Sequence, residues 1–267
     1  MWMSLCLLAP LAWASEKADP AKFIEVRPGN LPIVFSAPHG GSMPIPDTPV
    51  RQGINVPRFA IVRDGGTDEL ARACADALEK KLGGRPFLVV AQFERKYADA
   101  NRTAKEAYES DTARPIYEAY HQALADSKAK IKEQWGRGLV VDFHGQGVDA
   151  KAIFRGTNNG KTAQHLIDRF GKAALLGPKS VFGSLAQSGH RIIPANDSDD
   201  AEDTRFSGGY IVQTYGSKQG GTIDAIQFEF GAWFRQEVNR ARVADDVANA
   251  VAIFAREYLP LEKTEQK

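Results

Sequence analysis

The sequence predicts an α/β fold: a single domain with a mixed, mostly parallel central sheet flanked by helices. Three observations carry this. Short runs rich in Val, Ile and Leu recur at 31–37, 87–90, 138–143, 152–154 and 225–228, too brief for helices. Between them lie segments of helical period, over about 67–81, 115–132, 163–173 and 241–258. Three apolar runs also end abruptly in a polar residue with glycine one or two positions on: Pro38-His39-Gly40-Gly41, Asp142-Phe143-His144-Gly145 and Glu229-Phe230-Gly231. The carboxyl ends of strands are where open α/β sheets gather their ligands.

Length and composition agree with that class. A chain of 267 residues with 43% hydrophobic and 25% charged residues suits one large globular domain. A formal net charge of +1, without a long basic run, gives no electrostatic reason to expect a nucleic-acid partner.

The N-terminus reads differently. Residues 1–14 are apolar and end in the small-x-small pattern Ala12-Trp13-Ala14, followed by polar Ser15-Glu16-Lys17. That is the pattern of a secretory signal, too short to span a bilayer. The expected mature chain is therefore 15–267, exported to the periplasm or beyond and without a membrane span; the alternative is a cytoplasmic chain. Cys6 falls in the leader, which leaves Cys74 alone. The mature chain then has no intrachain disulfide and no Cys-based zinc site.

In chain order, 23–26 alternates like an edge strand and 31–37 reads as the first buried strand. The four prolines of 42–57 make an irregular loop. Leu70, Cys74, Leu78 and Leu82 form the apolar face of the first helix, with Thr67 and Asp68 both candidates for its N-cap. A polar loop, 93–102, follows the second buried strand and is the natural place for function. Residues 194–222 hold an acidic patch and five glycines, which suggests a lid.

A catalytic zinc site takes about three ligands from His and Asp/Glu and keeps one position open. His39 and His144 are the natural imidazoles, and Asp64, Asp68 and Glu69 are candidates for the acidic ligand. Glu229, on another strand end, is placed to serve as general base. Asp142, two residues before His144 on the same face of its strand, reads as a supporting carboxylate.

The segments Ser36-Ala-Pro-His-Gly-Gly, Asp64-x-x-x-Asp68, Asp99-Ala-Asn-Arg102, Asp142-Phe-His-Gly and Phe228-Glu-Phe resemble, in order, those of the N-formylglutamate amidohydrolase family. That family is similar in fold to zinc carboxypeptidases, the zinc-exopeptidase (phosphorylase/hydrolase)-like fold. The resemblance implies one zinc ion held by His39, Asp68 and His144, with Glu229 as base and acid. It also implies a grip on a substrate carboxylate by Asn101 and Arg102, the latter counted with Glu229 in the catalytic set. The carboxypeptidase pattern His-x-x-Glu is not kept, since Ser42 follows Gly41. Arg95, Arg155 and Tyr210 are further candidates for substrate contact, while His121, His165 and His190 read as structural or exposed.

The implied activity is hydrolysis of a C–N amide bond, a formamide or a peptide-like bond, in a carboxylate-bearing small molecule or peptide. An exported zinc carboxypeptidase or cell-wall amidase with the same centre is the competing enzyme. A binding protein that kept the fold without catalysis is the competing class. A serine or cysteine hydrolase lacks support, because no nucleophile elbow surrounds Ser36 or Ser207 and Cys74 is expected mid-helix. Oligomeric state is not encoded in any of these features.

Overall fold

A computed structural model describes residues 19–263; the leader read over 1–14 lies outside them. The strands are β1 (Ile24–Arg27), β2 (Ile33–Ala37), β3 (Phe87–Ala91), β4 (Gly138–Gly145), β5 (Ala152–Gly156), β6 (Arg191–Ile193) and β7 (Ile223–Phe230). The helices are α1 (Thr67–Leu82), α2 (Ala104–Ala107), α3 (Arg114–Trp135), α4 (Gln164–Phe170), α5 (Ala173–Leu176), α6 (Val181–Gln187), α7 (Tyr210–Tyr215), α8 (Ala232–Arg235) and α9 (Glu237–Tyr258). Together the strands form one seven-stranded sheet in the order β1-β3-β2-β4-β7-β5-β6.

The four central strands β3, β2, β4 and β7 run parallel, while β1 and β5 pair antiparallel to their inner neighbours. The predicted mixed, mostly parallel sheet is therefore present. Parallel strands buried on both faces read as near-continuous apolar runs; β2, β3 and β7 are buried throughout, with polar residues on β7 at Asp224, Gln227 and Glu229.

Alternation then sorts the side chains. Ile33, Phe35, Leu139, Val141, Phe143, Ile226 and Phe228 pack with Leu70, Cys74 and Leu78 of α1 and Val247 and Val251 of α9. Val34, Val140, Ile223 and Ala225 point the other way, onto Ile116, Tyr120, Leu124 and Trp135. Cys74 is a buried free thiol, as its place on the apolar face of α1 implied.

Two local expectations change. Neither Thr67 nor Asp68 caps α1: Gly66, at φ 88°, is the N-cap residue and makes no side-chain cap. A Cβ there would lie 2.5 Å from the Arg235 carbonyl oxygen, so both the turn and the close approach require glycine. Ile211-Val212, a β-branched pair of strand-like propensity, instead falls in the first turn of α7. Asn101 Oδ1 accepts from the Ile211 N–H at 2.8 Å and Gln227 Oε1 accepts from the Gly209 N–H at 2.8 Å. These tertiary bonds satisfy the helix start and override the β-branched propensity.

Among the described residues no helix is long and apolar enough to cross a membrane.

Candidate metal centre

The parallel strands β3, β2, β4 and β7 all point their carboxyl ends to one edge of the sheet. His39 comes two residues after β2, His144 and Glu229 pair in register on β4 and β7, and the loop after β3 brings Arg95, Asp99, Asn101 and Arg102. They meet at an open cleft of about 650 Å³ lined by His39, Asp64, Asn101, Arg102, His144 and Glu229 among others.

At its floor three ligand atoms converge. His39 Nδ1 and His144 Nδ1 are 3.0 Å apart, and Asp64 Oδ2 lies 3.3 Å from the first and 3.5 Å from the second. A tetrahedral zinc with bonds of 2.0–2.1 Å sets its ligand atoms roughly 3.3 Å apart. The His39–Asp64–His144 trio is buried and meets that spacing.

Each imidazole is held from behind by a carboxylate at its other nitrogen. His39 Nε2 donates to Asp99 Oδ1 at 2.6 Å, and His144 Nε2 donates to Asp142 Oδ2 at 2.7 Å. Such bonds fix the ring orientation and aim each Nδ1 at the cluster, where a metal would take its lone pair. Arg95 braces the group, donating to Asp99 at 2.7 Å and to Asp64 at 3.4 Å.

The electrostatics favour a cation at this point. Among the described residues Asp64, Asp99, Asp142 and Glu229 are buried beside two buried guanidiniums, Arg51 and Arg95, with the half-buried Arg235 close to Asp64 and Glu229. Burial alone would raise Asp64, but bonds with His144 and His39 hold it well below the usual carboxylate range. Burial would lower His144, yet Asp142 and then Asp64 push it up to about 10. Burial pushes Glu229 up to about 8, with Asp64 and Asp142 adding to the rise. Donor type, spacing and charge therefore fit a divalent metal such as zinc.

Several sequence-based assignments shift. Asp68 stands apart from the trio: its carboxylate meets Arg72 at 2.9 Å and Arg63 at 3.9 Å, and the acidic member of the cluster is Asp64. The segment after Arg63 folds back so that Asp64 N–H donates to the His39 carbonyl at 3.0 Å, which carries Asp64 into the centre. Arg95 lines the cleft, but its guanidinium is committed to Asp64 and Asp99.

Arg155 is on the wrong side of the sheet for this site. Strand β5 runs antiparallel to β7, so Arg155 pairs in register with Phe228 and faces away from Glu229. It donates to Glu202 at 3.2 Å and to Asn196 at 3.0 Å instead.

Arg102 does line the cleft and donates to the carbonyls of Asn101 and Arg58. Tyr210 also lines it, with its ring edge-on to His121 at 5.4 Å. His121 belongs to this aromatic cluster, where burial pushes it down to about 4. His165 and His190 face Asp224 and Asp246, away from the centre.

Three members of the site were not singled out by sequence. Asp99 entered only as part of a motif, Gln227 not at all, and Asp64 only as one of three neighbours. The available signal for Asp64 was the Gly65-Gly66 turn beside it, and for Gln227 its period-two spacing to Glu229.

No protein-family model matches the chain, and no curated protein matches it. Solved structures do. An N-formylglutamate amidohydrolase from Ralstonia eutropha JMP134 aligns at a TM-score of 0.61 and 16% identity, over 88% of this chain and 98% of its own. The chain shares that fold. Gene product Atu2144 from Agrobacterium tumefaciens aligns at a TM-score of 0.57 and 12% identity, over 89% of this chain and 96% of its own. A metallo-carboxypeptidase from Pseudomonas aeruginosa aligns more loosely, at 0.45 and 10% identity, over 85% of this chain and 57% of its own.

Proposed function

We propose that the chain is a zinc-dependent amidohydrolase that cleaves a C–N amide bond in a carboxylate-bearing substrate, an N-acyl amino acid or short peptide. The observation that carries this reading is the closure of His39 Nδ1, His144 Nδ1 and Asp64 Oδ2 to within 3.5 Å of one another at the cleft floor. His39, Asp64 and His144 would hold the ion. When bound, zinc supplies a Lewis acid for the carbonyl and lowers the pKa of water toward 7.

The rest of the chemistry belongs to side chains. Glu229, beside His144 in register on the next strand, takes the proton from the attacking water and returns it to the leaving nitrogen. Burial raises its pKa and a bound cation would draw it down again, so the carboxylate can take a proton and hand it on. Asp99 and Asp142 keep both imidazoles in one tautomer. Asn101, whose Nδ2 lies 3.2 Å from His144 Nε2, lines the cleft together with Arg102. Asn101 and Arg102 then orient the substrate through its carboxylate.

Protein purified without chelator should carry about one zinc per chain and hydrolyse at least one of N-formyl-glutamate, N-acetyl-glutamate or a short γ- or α-glutamyl peptide. The peptides are included because residues 1–14 read as an export signal, and an exported chain would meet peptides. A metal-free protein inert on the whole set after zinc loading would overturn the reading.

The two arginines assigned by sequence separate cleanly. Arg102→Ala should raise KM by about 10- to 100-fold, the loss of a charge-assisted bond of about 1.5–3 kcal/mol. Arg155→Ala should leave KM unchanged and lower the melting temperature, because buried Glu202 loses its cation and keeps only the donors of Thr157 and Asn159. Steady-state kinetics and thermal melts of both variants check this.

A further inference from the structure

Beside the proposed base stands a residue that the chemistry above does not use. Gln227 is buried, lines the cleft and precedes Glu229 by two positions on β7, so both project from the same face. Its Nε2 donates to Glu229 Oε1 at 2.9 Å. Its Oε1 accepts from the Gly209 N–H at 2.8 Å. That backbone donor settles which way the amide faces: the oxygen must meet Gly209, so the NH2 must meet Glu229.

The neighbouring strand is built the same way. In the β4–β7 register Asp142 pairs with Gln227 and His144 with Glu229. On β4 the inner residue, Asp142, holds the outer residue, His144, at 2.7 Å. On β7 the inner residue, Gln227, holds the outer residue, Glu229, at 2.9 Å. The chemistry of each inner residue suits its charge. An imidazole N–H needs an acceptor, which Asp142 provides, and a carboxylate needs a neutral donor, which Gln227 provides.

The surroundings leave space for this amide and little else. Gly156 pairs with Gln227 across the β5–β7 ladder, and a Cβ at Gly156 would lie 3.1 Å from the Gln227 Cβ and 2.5 Å from the Phe206 carbonyl oxygen. A Cβ at Gly209 would lie 2.1 Å from Asn101 Nδ2. Glycines at 156 and 209 thus let two backbone segments close around Gln227, and one of them supplies the N–H that orients it.

We propose that Gln227 is the positioning residue of the catalytic carboxylate: it fixes the direction in which Glu229 presents its free oxygen to the cleft. This rests on Glu229 acting as the base. Substitutions in such supporting positions typically cost about 10- to 100-fold in activity.

The test uses the zinc-loaded full chain and whichever substrate of the set above it turns over fastest. Gln227→Met keeps the side-chain volume and removes the donor. It should lower kcat by about 10- to 100-fold while KM stays within about twofold and zinc content is unchanged. In a Glu229→Gln background the same substitution should lower the residual rate no further, because the two residues act as a unit. Gln227→Asn, one methylene too short to span both partners, should behave like Gln227→Met and serves if the Met variant does not fold.

A kcat within twofold of wild type in a folded Gln227 variant would overturn the positioning role. So would a loss carried by KM alone, or an undiminished further loss in the Glu229→Gln background. Full loss in Glu229→Gln beside full activity in Gln227→Met would remove only this inference. Full activity in Glu229→Gln would remove the base assignment, and the positioning role with it.

Discussion

Glu229→Gln is expected to lower kcat by about 10²- to 10⁴-fold, the usual contribution of a positioned general base, or about 3–5 kcal/mol of barrier. The substitution is nearly isosteric, and Glu229 is not one of the three converging ligand residues, so zinc content should be unchanged. Retained activity with retained metal would remove Glu229 from the reaction. The same variant makes a second, independent forecast about stability. Burial pushes Glu229 up to about 8 from an ordinary 4.5, so between those values the folded chain holds a proton that the unfolded chain has released. Stability tied to this group is therefore full below about pH 4.5 and falls as pH rises through 8, a cost of roughly 3 kcal/mol at pH 7. Gln carries no such cost. In chelator-stripped protein Glu229→Gln should melt higher than wild type at pH 7 and equally at pH 4. An activity loss with this gain in stability is what a buried catalytic carboxylate predicts, and a loss of both would point to collapse of the site.

What could be read from sequence follows the reach of each signal. His39, His144 and Glu229 were legible because a buried strand that stops at a polar residue with glycine one or two positions on is a local pattern, and parallel order then brings the ends together. Asp142 was legible for the same reason, since period two fixes its face relative to His144. Asp64 was not, because choosing among Asp64, Asp68 and Glu69 requires knowing that the chain folds back onto the His39 carbonyl. Arg155 failed through strand direction. A strand-end arginine reads as facing the ligand only if its strand is parallel, and nothing local in Ala152–Gly156 reveals that it runs antiparallel to β7. Tyr210 lines the cleft as a candidate contact, but the helix it opens was not legible, because that helix start is satisfied by Asn101 and Gln227, each distant in sequence.

The contrast between Asp64 and Asp68 gives the second large effect. Asp64→Asn keeps the size of the side chain and an oxygen able to accept from the Gly145 N–H, which now donates to Asp64 Oδ2 at 3.1 Å. It removes the negative ligand charge, and zinc affinity should fall by at least about 100-fold. Asp68→Asn should bind zinc like wild type, because its carboxylate is turned toward Arg72 and Arg63. Asp68 is itself pushed up to about 6, by burial first and by Glu69 next to it, with Oδ1 buried and without a hydrogen-bond donor. Neutralising it therefore relieves repulsion with Glu69 even as it weakens the pair with Arg72. Thermal melts read both results at once. Zinc at 100 times its Kd adds about 2.7 kcal/mol to a protein that binds it only when folded. Wild type and Asp68→Asn should gain that shift and lose it to chelator, and Asp64→Asn should show none at the same zinc concentration. The reverse order, with zinc lost in Asp68→Asn and kept in Asp64→Asn, would return the acidic ligand to the position the family resemblance favours. The close approach of Asp64 Oδ2 to both imidazoles would then be left as an ion-pair contact alone.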